Sequence, residues 1–299
     1  MNLKSDSDFF SSIWGTDTDI VVGLTEDSLT IIDDSGKTYC SLSLDRQGEA
    51  FPPVGDYSPK WDIFVAAVAP GIVTAIQVST RKVLWQIKDR RLINRVCILD
   101  ASQDVVIAGR SAKVLKLADG SPTTSVITDC HSHLDSGNGC FCMKNKTQER
   151  YLFSHSSRPG MLLEAALPSL KLSIFTPHFF AAVGFDAPAE VYFLDPFFGK
   201  LVDRVVVPDS QLIDALSYDT KEDALLVASH GAAKFIEVWR VYLTGRRELV
   251  TTLPQGIGGT SWSFHSHGRK LISPRGRVAD LSSGELLRRS WADWQLQEM

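Results

Sequence analysis

A chain of 299 residues with 44% hydrophobic and 22% charged residues and a mean hydropathy of −0.02 has the composition of a folded protein, not a disordered one. Its formal net charge of −4 argues against the strongly basic balance of a dedicated nucleic-acid binder. The longest apolar run, 63–76, is broken by Pro70 and Gly71, so a membrane-spanning helix of about 18 or more residues is excluded.

The N-terminal MNLKSDSDFF lacks the basic and apolar regions of a secretion signal. Five cysteines, an odd number, give no disulfide framework. A cytoplasmic location is expected, with a protein partner and neither a nucleic-acid nor a membrane partner.

In chain order the predicted elements are strands: DIVVGL (19–24), SLTIID (28–33), DVVIAG (104–109), AKVLKL (112–117), EVYFLD (190–195), LVDRVVV (201–207), ALLVAS (224–229) and KFIEVWRV (234–241). Each is rich in Val, Ile, Leu or aromatics and bounded by Gly, Asp, Ser or Pro. No segment longer than about ten residues sustains a 3.6-residue period, so helices are expected to be rare.

Between these strands a turn of the form D-x-x-G-K/E recurs. It centres on Gly36, on Arg81 in the glycine's place, and on Gly120, Gly199, Gly245 and Gly284. The intervals between these six positions are 45, 39, 79, 46 and 39 residues, the third being close to a double step. The double step is filled by a seventh hairpin at GMLLEAALPSLKLSIF (160–175), with its turn at Leu167 to Leu170. Seven hairpins about 41 residues apart match the 40 to 45 residues that a propeller spends on each four-stranded blade.

The stretches ILDASQDVVIAGRSAKVLKLADGS (98–121), LSYDTKEDALLVASHGAAKFIEVWRVYLTGRREL (216–249) and SFHSHGRKLISPRGRVADLSSGELL (263–287) resemble the blade pattern of WD40-like propellers. STRKVLWQIK (79–88) is similar to a quinoprotein-type repeat. Trp239 sits where the family has its tryptophan, with Arg240 in place of the following aspartate, and no Gly-His pair with its usual Asp partner recurs. The resemblance implies a divergent, all-β, seven-bladed β-propeller of four-stranded antiparallel blades, in which the hydrogen-bonded tetrad that stiffens typical blades is in doubt. The expected organisation is a single domain over 1–299 with blades near 8–44, 50–88, 92–128, 139–175, 178–207, 212–252 and 258–290. The fifth blade is expected to be short, and the ring to close by packing.

CHSHLDSGNGCFC (130–142) gathers sulfur and imidazole between the third and fourth blades. If Ser136 to Asn138 turn a hairpin, His131 and His133 share one strand face, as do Cys140 and Cys142. Four such groups suit tetrahedral zinc. The spacings H-x-H and C-x-C depart from the usual C-x2-4-C and H-x3-5-H, however, and a second H-x-H occurs in the turn 264–268. The reading is therefore a loop with partly buried thiols and no bound metal. Phosphate-cradling, calcium-loop and G-x-S-x-G motifs are absent, and no cofactor is expected.

What remains is binding. Phe197 and Phe198 at a turn tip are either a partner anchor or a cap on the neighbouring blade. Arg246, Arg247, Arg269, Lys270, Arg275 and Arg277, followed by Arg288 and Arg289, make a basic sector. Solvated strand edges use the same residues to discourage pairing. Trp291 and Trp294 share a face if the tail is helical. These residues are the candidate partner-binding set of a non-catalytic scaffold or adaptor. The alternatives are an immunity-type inhibitor that blocks a single toxin or enzyme and, behind both, a propeller enzyme of quinoprotein-like type.

Overall fold

The computed structural model describes residues 12–15, 20–24, 28–33, 38–43, 54–58, 60–69, 71–89, 93, 95–100, 102–109, 112–127, 130–137, 140–145, 150–155, 163–231, 235–254, 263–265, 269–272 and 278–288. Among them there is no helix, and so none long and apolar enough to cross a membrane.

The strands form seven four-stranded antiparallel sheets, each built from four consecutive strands. Sheet 1 holds β1 (Ser12–Gly15), β2 (Ile20–Leu24), β3 (Ser28–Asp33) and β4 (Thr38–Ser43). Sheet 2 holds β5 (Val54–Ser58), β6 (Ile63–Ala69), β7 (Ile72–Gln77) and β8 (Lys82–Lys88). Sheet 3 holds β9 (Arg95–Leu99), β10 (Asp104–Ala108), β11 (Ala112–Lys116) and β12 (Pro122–Ile127). Sheet 4 holds β13 (Cys130–Gly137), β14 (Cys140–Asn145), β15 (Tyr151–His155) and β16 (Leu163–Ala165). Sheet 5 holds β17 (Leu170–Phe175), β18 (Phe180–Gly184), β19 (Glu190–Leu194) and β20 (Leu201–Val206). Sheet 6 holds β21 (Ser210–Asp219), β22 (Ala224–Gly231), β23 (Phe235–Val241) and β24 (Arg247–Pro254). Sheet 7 holds β25 (Ser263–His265), β26 (Lys270–Ile272), β27 (Val278–Asp280) and β28 (Leu286–Arg288).

Five sheets fall close to their expected boundaries, and the fourth and fifth do not. Residues 170–175, expected to be the outer strand of blade four, form the first strand of sheet 5 and pair with β18. The expected turn at Leu167 to Leu170 instead connects two sheets, because β16 pairs back onto β15. Sheet 5 consequently has all four strands and is not short. Sheet 4 starts at Cys130, nine residues before the expected 139.

The recurring turn explains the regularity of the hairpins. Arg81, Gly120, Gly199, Gly245 and Gly284 all have left-handed φ, between 59° and 82°. The geometry at three of them is the same: the amide of Gly120, Gly199 or Gly284 donates to the carbonyl four residues earlier, at 2.8 to 3.0 Å. Such a turn needs one residue at positive φ, which glycine adopts without steric cost. The turn at Gly36 lies outside the described residues.

The chain separates into two compact units. One consists of Glu49–Pro208 with Leu243–Arg246 and contains sheets 2 to 5. Here the first strands β5, β9, β13 and β17 are successive neighbours, and apolar side chains fill the space between facing sheets. Ile63, Val65, Val73 and Trp85 meet Val96, Ile98 and Leu117; Val106 and Val114 meet Leu152; Cys142, Tyr151 and Phe153 meet Leu170, Phe175 and Phe180. The other unit consists of Met1–Gly48, Asp209–Tyr242 and Arg247–Met299, with sheets 1, 6 and 7. There β21 neighbours β25, and β25 neighbours β1. Ala228, Val238 and Leu253 pack on Phe264, Leu271 and Leu281, while Val21 and Ile32 pack on Ile272 and Val278. Each fully buried Val, Leu, Ile or Phe contributes about 1.5–3 kcal/mol relative to exposure.

Polar side chains fasten the turns between first and second strands. Asp62 has φ 53°, and its carboxylate accepts from Tyr57 Oη at 3.1 Å, Gln77 Nε2 at 3.1 Å and the Ser79 amide at 2.8 Å. Partial burial acts to raise its pKa, but the hydrogen bonds from Ser79, Gln77 and Tyr57 outweigh it and leave the pKa below the usual aspartate value. A depressed folded-state pKa contributes stability that is present above the unfolded pKa of about 3.9 and is lost as pH falls through the lower folded value. Asp62→Asn is therefore expected to flatten the acid limb of stability below about pH 4. Urea midpoints measured from pH 6 down to pH 2.5 check this, and an unchanged slope contradicts it.

Candidate functional site

The outer strand of sheet 5 departs from what a solvent-facing strand normally carries. In β20, LVDRVV, Leu201, Val202 and Val206 are about half exposed, and only Val205 points inward as a buried residue. The turn that leads into it presents Phe197 and Phe198, and the connection between β18 and β19 presents Phe185. These six apolar side chains range from 38% to 60% exposed. Phe197 and Phe198 adjoin the start of β20. Val206 pairs with Glu190 at the far end of the strand, so Phe197, Phe198, Leu201, Val202 and Val206 follow the outer strand of the sheet, whereas the Phe185 amide bonds the Ser169 carbonyl beside β17.

Phe197 and Phe198 are held by the turn itself. Asp195 Oδ1 accepts from both of their amides at 2.8 Å, and the Gly199 amide closes the turn on the Asp195 carbonyl at 2.8 Å. The turn also packs inward, since a Cβ on Gly199 would stand 2.5 Å from the buried Phe153 ring. The two phenylalanines are therefore displayed on a rigid base. Sheet 7 repeats the arrangement with polar residues: Asp280 Oδ1 accepts from the amides of Ser282 and Ser283 at 2.8 and 3.1 Å. Two serines there and two phenylalanines here on one turn geometry show that the backbone does not require the aromatics.

Charge along the edge is uneven. Lys200 and Arg204 are exposed, as is Arg246 in the turn beside Gly245, whose Cβ position is 3.7 Å from Asp203 Oδ2. The carboxylates on the same stretch are engaged locally. Asp195 accepts the two turn amides, Asp203 Oδ1 accepts the Arg204 amide at 2.8 Å, and Glu190 lies 3.4 Å from Arg204 Nε. Asp186, next to Phe185, is the exposed acid at the far end.

Arg247 and Arg269 are exposed in the unit that holds sheets 1, 6 and 7, and Lys270 is half-buried in β26. Arg275, Arg277, Arg289, Trp291 and Trp294 lie outside the described residues, as does the side chain of Arg288.

The cysteine and histidine cluster is an inner strand and its hairpin, not a connecting loop. β13 pairs with β14, with Asp135 opposite Cys142 and Gly137 opposite Cys140. Between the pairs Cys130↔Asn145 and Leu134↔Met143 the first strand advances four residues and the second two. The excess places His131 and His133 in an irregularity where strict alternation of faces is lost. Cys142 is buried among Tyr151, Phe153, Leu170 and Phe180, a core position. The side chains of His131, His133 and Cys140 lie outside the described residues. Among the described residues no group of three or more His, Cys, Asp or Glu is arranged to hold a metal ion.

One polar pair was not anticipated from the sequence. Asp214 Oδ2 and His230 Nε2 face each other across β21 and β22, both side chains buried. Asp214 is the extra residue of a bulge, since Ile213 pairs with Ser229 and Ala215 with Ala228. Trp239, expected to anchor a typical blade, donates its indole N–H to Glu237 Oε2 at 3.0 Å. Arg240, in place of the family's aspartate, is bound by Asp219 at 2.9 Å.

Comparison with solved structures is decided by this sheet arrangement. The WD40 repeats of RRP9 align over 91% of this chain and 88% of theirs, with a TM-score of 0.68 and 11% identity. The chain has the WD40-type β-propeller fold. Hsv2 of Kluyveromyces lactis aligns over 90% of this propeller and 91% of its own chain (TM-score 0.66, 12% identity). A chain from the mitotic checkpoint complex aligns over 91% and 93% (TM-score 0.65, 9% identity). No family model and no curated protein sequence matches this propeller. Its sheets are the blades of that fold.

Proposed function

We propose that the protein is a non-catalytic protein-binding propeller, acting as a scaffold or adaptor in one domain over the whole chain, and that the outer edge of blade five is its principal contact surface. The observation that carries this reading is the run of half-exposed Phe197, Phe198, Leu201, Val202 and Val206 on a rigid turn and strand. Scattered apolar residues are normal on a protein surface, whereas a contiguous row with aromatic members marks a contact surface. Support of a coarser kind comes from the similar chains, one of which belongs to the mitotic checkpoint complex. The reading carries with it a cytoplasmic location and no cofactor.

The test is affinity capture from the native cell with the wild-type chain and with the double variant Phe198→Asp/Val202→Asp. The capture is expected to lose its specific partners with the variant, at unchanged thermal midpoint. Capture that is indifferent to the substitutions removes blade five from the reading. Several partners of moderate lifetime favour the scaffold role. One stoichiometric partner that dissociates slowly favours the alternative, an inhibitor that blocks a single enzyme or toxin.

A further inference from the structure

Resting on the protein-binding reading, we infer that blade four sets the position of the blade-five contact surface: Phe153 is a positioning residue whose ring seats the turn that displays Phe197 and Phe198.

The turn holds its own shape. Asp195 Oδ1 accepts from the amides of Phe197 and Phe198, the Gly199 amide donates to the Asp195 carbonyl, and the Asp195 amide donates to the Lys200 carbonyl, all at 2.8 Å. These bonds are internal to the hairpin end and do not fix its tilt against the sheet. The ladder behind it is interrupted as well. Leu194 pairs with Leu201 but Phe193 with Asp203, so Val202 is the extra residue of a bulge, and a bulge bends the strand that carries it. A contact from outside the hairpin supplies the missing constraint.

That contact is Phe153 of β15, in blade four. A Cβ on Gly199 would stand 2.5, 2.7 and 3.0 Å from three atoms of its ring, so the turn backbone lies directly on the ring with no room for a side chain between them. The ring itself is fixed. It is fully buried and edge-on to Phe180 at 5.3 Å and to Phe175 at 6.4 Å, which belong to the first two strands of blade five. Phe153 thus stands in the seam between the two blades and supports the base of the surface without being part of it.

Blade three is built the same way. Gly120 has φ 70°, and a Cβ there would stand 2.8 Å from two atoms of the Trp85 ring, on the outer strand of blade two. The Trp85 indole N–H donates to the Leu117 carbonyl at 2.8 Å, and Asp119 Oδ1 accepts the Ser121 amide at 2.9 Å. In both blades the turn between the third and fourth strands rests on a buried aromatic ring of the preceding blade. At Gly245 no described ring stands within 4 Å, so the seat is an addition to the turn and not a requirement of it.

The experiment is hydrogen exchange at single amides of the full chain, read by NMR in the wild type, Phe153→Leu and Trp85→Leu. Amides exchange through local opening as well as global unfolding, and the crossed pair of variants separates the two. Phe153→Leu is expected to speed exchange at Phe197, Phe198 and Gly199 by about tenfold or more beyond any change at Gly120 and Ser121, and Trp85→Leu to do the reverse. Phe153→Met, with an unbranched side chain that keeps much of the volume, gives the same comparison if the leucine variant does not fold. Equal acceleration of both turns, or of neither, overturns the proposal, because Phe153 then acts only through overall stability. Binding is read separately, as the dissociation rate of the partner isolated with the wild-type chain. That rate is expected to rise about tenfold in Phe153→Leu and to stay unchanged in Trp85→Leu. Unchanged dissociation from a loosened turn overturns the positioning role. Normal turn exchange in Phe153→Leu, with capture lost in Phe198→Asp/Val202→Asp, overturns it and leaves the protein-binding reading standing. Capture indifferent to that double variant removes the reading, and the proposal with it, whatever the exchange shows.

Discussion

Gly199→Ala is expected to lower stability by about 2–5 kcal/mol, a large effect for a single methyl group at a turn. Two penalties combine. At φ 63° an L-residue is strained by about 1–2 kcal/mol. The new Cβ would also lie 2.5 and 2.7 Å from Cδ2 and Cε2 of Phe153. Phe153 has little freedom to retreat, because it is fully buried with its ring edge-on to Phe180 at 5.3 Å and to Phe175 at 6.4 Å. Overpacking of that kind costs roughly 1–3 kcal/mol more. Gly245→Ala provides the control: its φ is 82°, but the nearest atom to its Cβ is 3.7 Å away. Only the backbone penalty remains there, about 1–2 kcal/mol. Urea denaturation of the two variants separates the contributions, and equal losses would refute the steric account.

Removing one member of the Asp214 and His230 pair should be comparably damaging. His230→Leu takes the imidazole from a carboxyl group that is itself buried, and breaking a buried pair from one side costs about 3–5 kcal/mol. Replacing both, Asp214→Leu/His230→Leu, is expected to recover most of that loss, because two apolar groups leave no ionisable group to desolvate. A double-mutant cycle on denaturant midpoints provides the measurement. A double variant no more stable than the worse single one would show that the pair does not act as a unit.

These two sites also show what the sequence made legible. The turn at Gly199 could be found because a backbone at positive φ selects glycine, and five of the expected turn positions have left-handed φ, including the substitute Arg81. The pairing of Asp214 with His230 depends on a one-residue bulge that re-aims a side chain, and no local pattern announces a bulge. The boundary between blades four and five was misplaced for a related reason. CHSHLDSG has few residues that favour strands, so β13 read as a loop. ALPS (166–169) looks like a turn because of Pro168, although it joins one blade to the next. For the candidate site, Phe197 and Phe198 stood out as aromatics at a turn tip. Leu201, Val202 and Val206 did not, because apolar residues are expected in any strand. Their exposure becomes evident only once LVDRVV is known to be outermost, and an outer strand without polar alternation is the signal that was available.

The first and last blades each supply all four of their own strands, and they meet through side chains such as Val21, Ile32, Ile272 and Val278. That seam works like a clasp without a pin. Among the described residues no strand ladder joins the two sheets, so tension across the seam would slide apolar surfaces past one another, and each half of the clasp would keep its own weave.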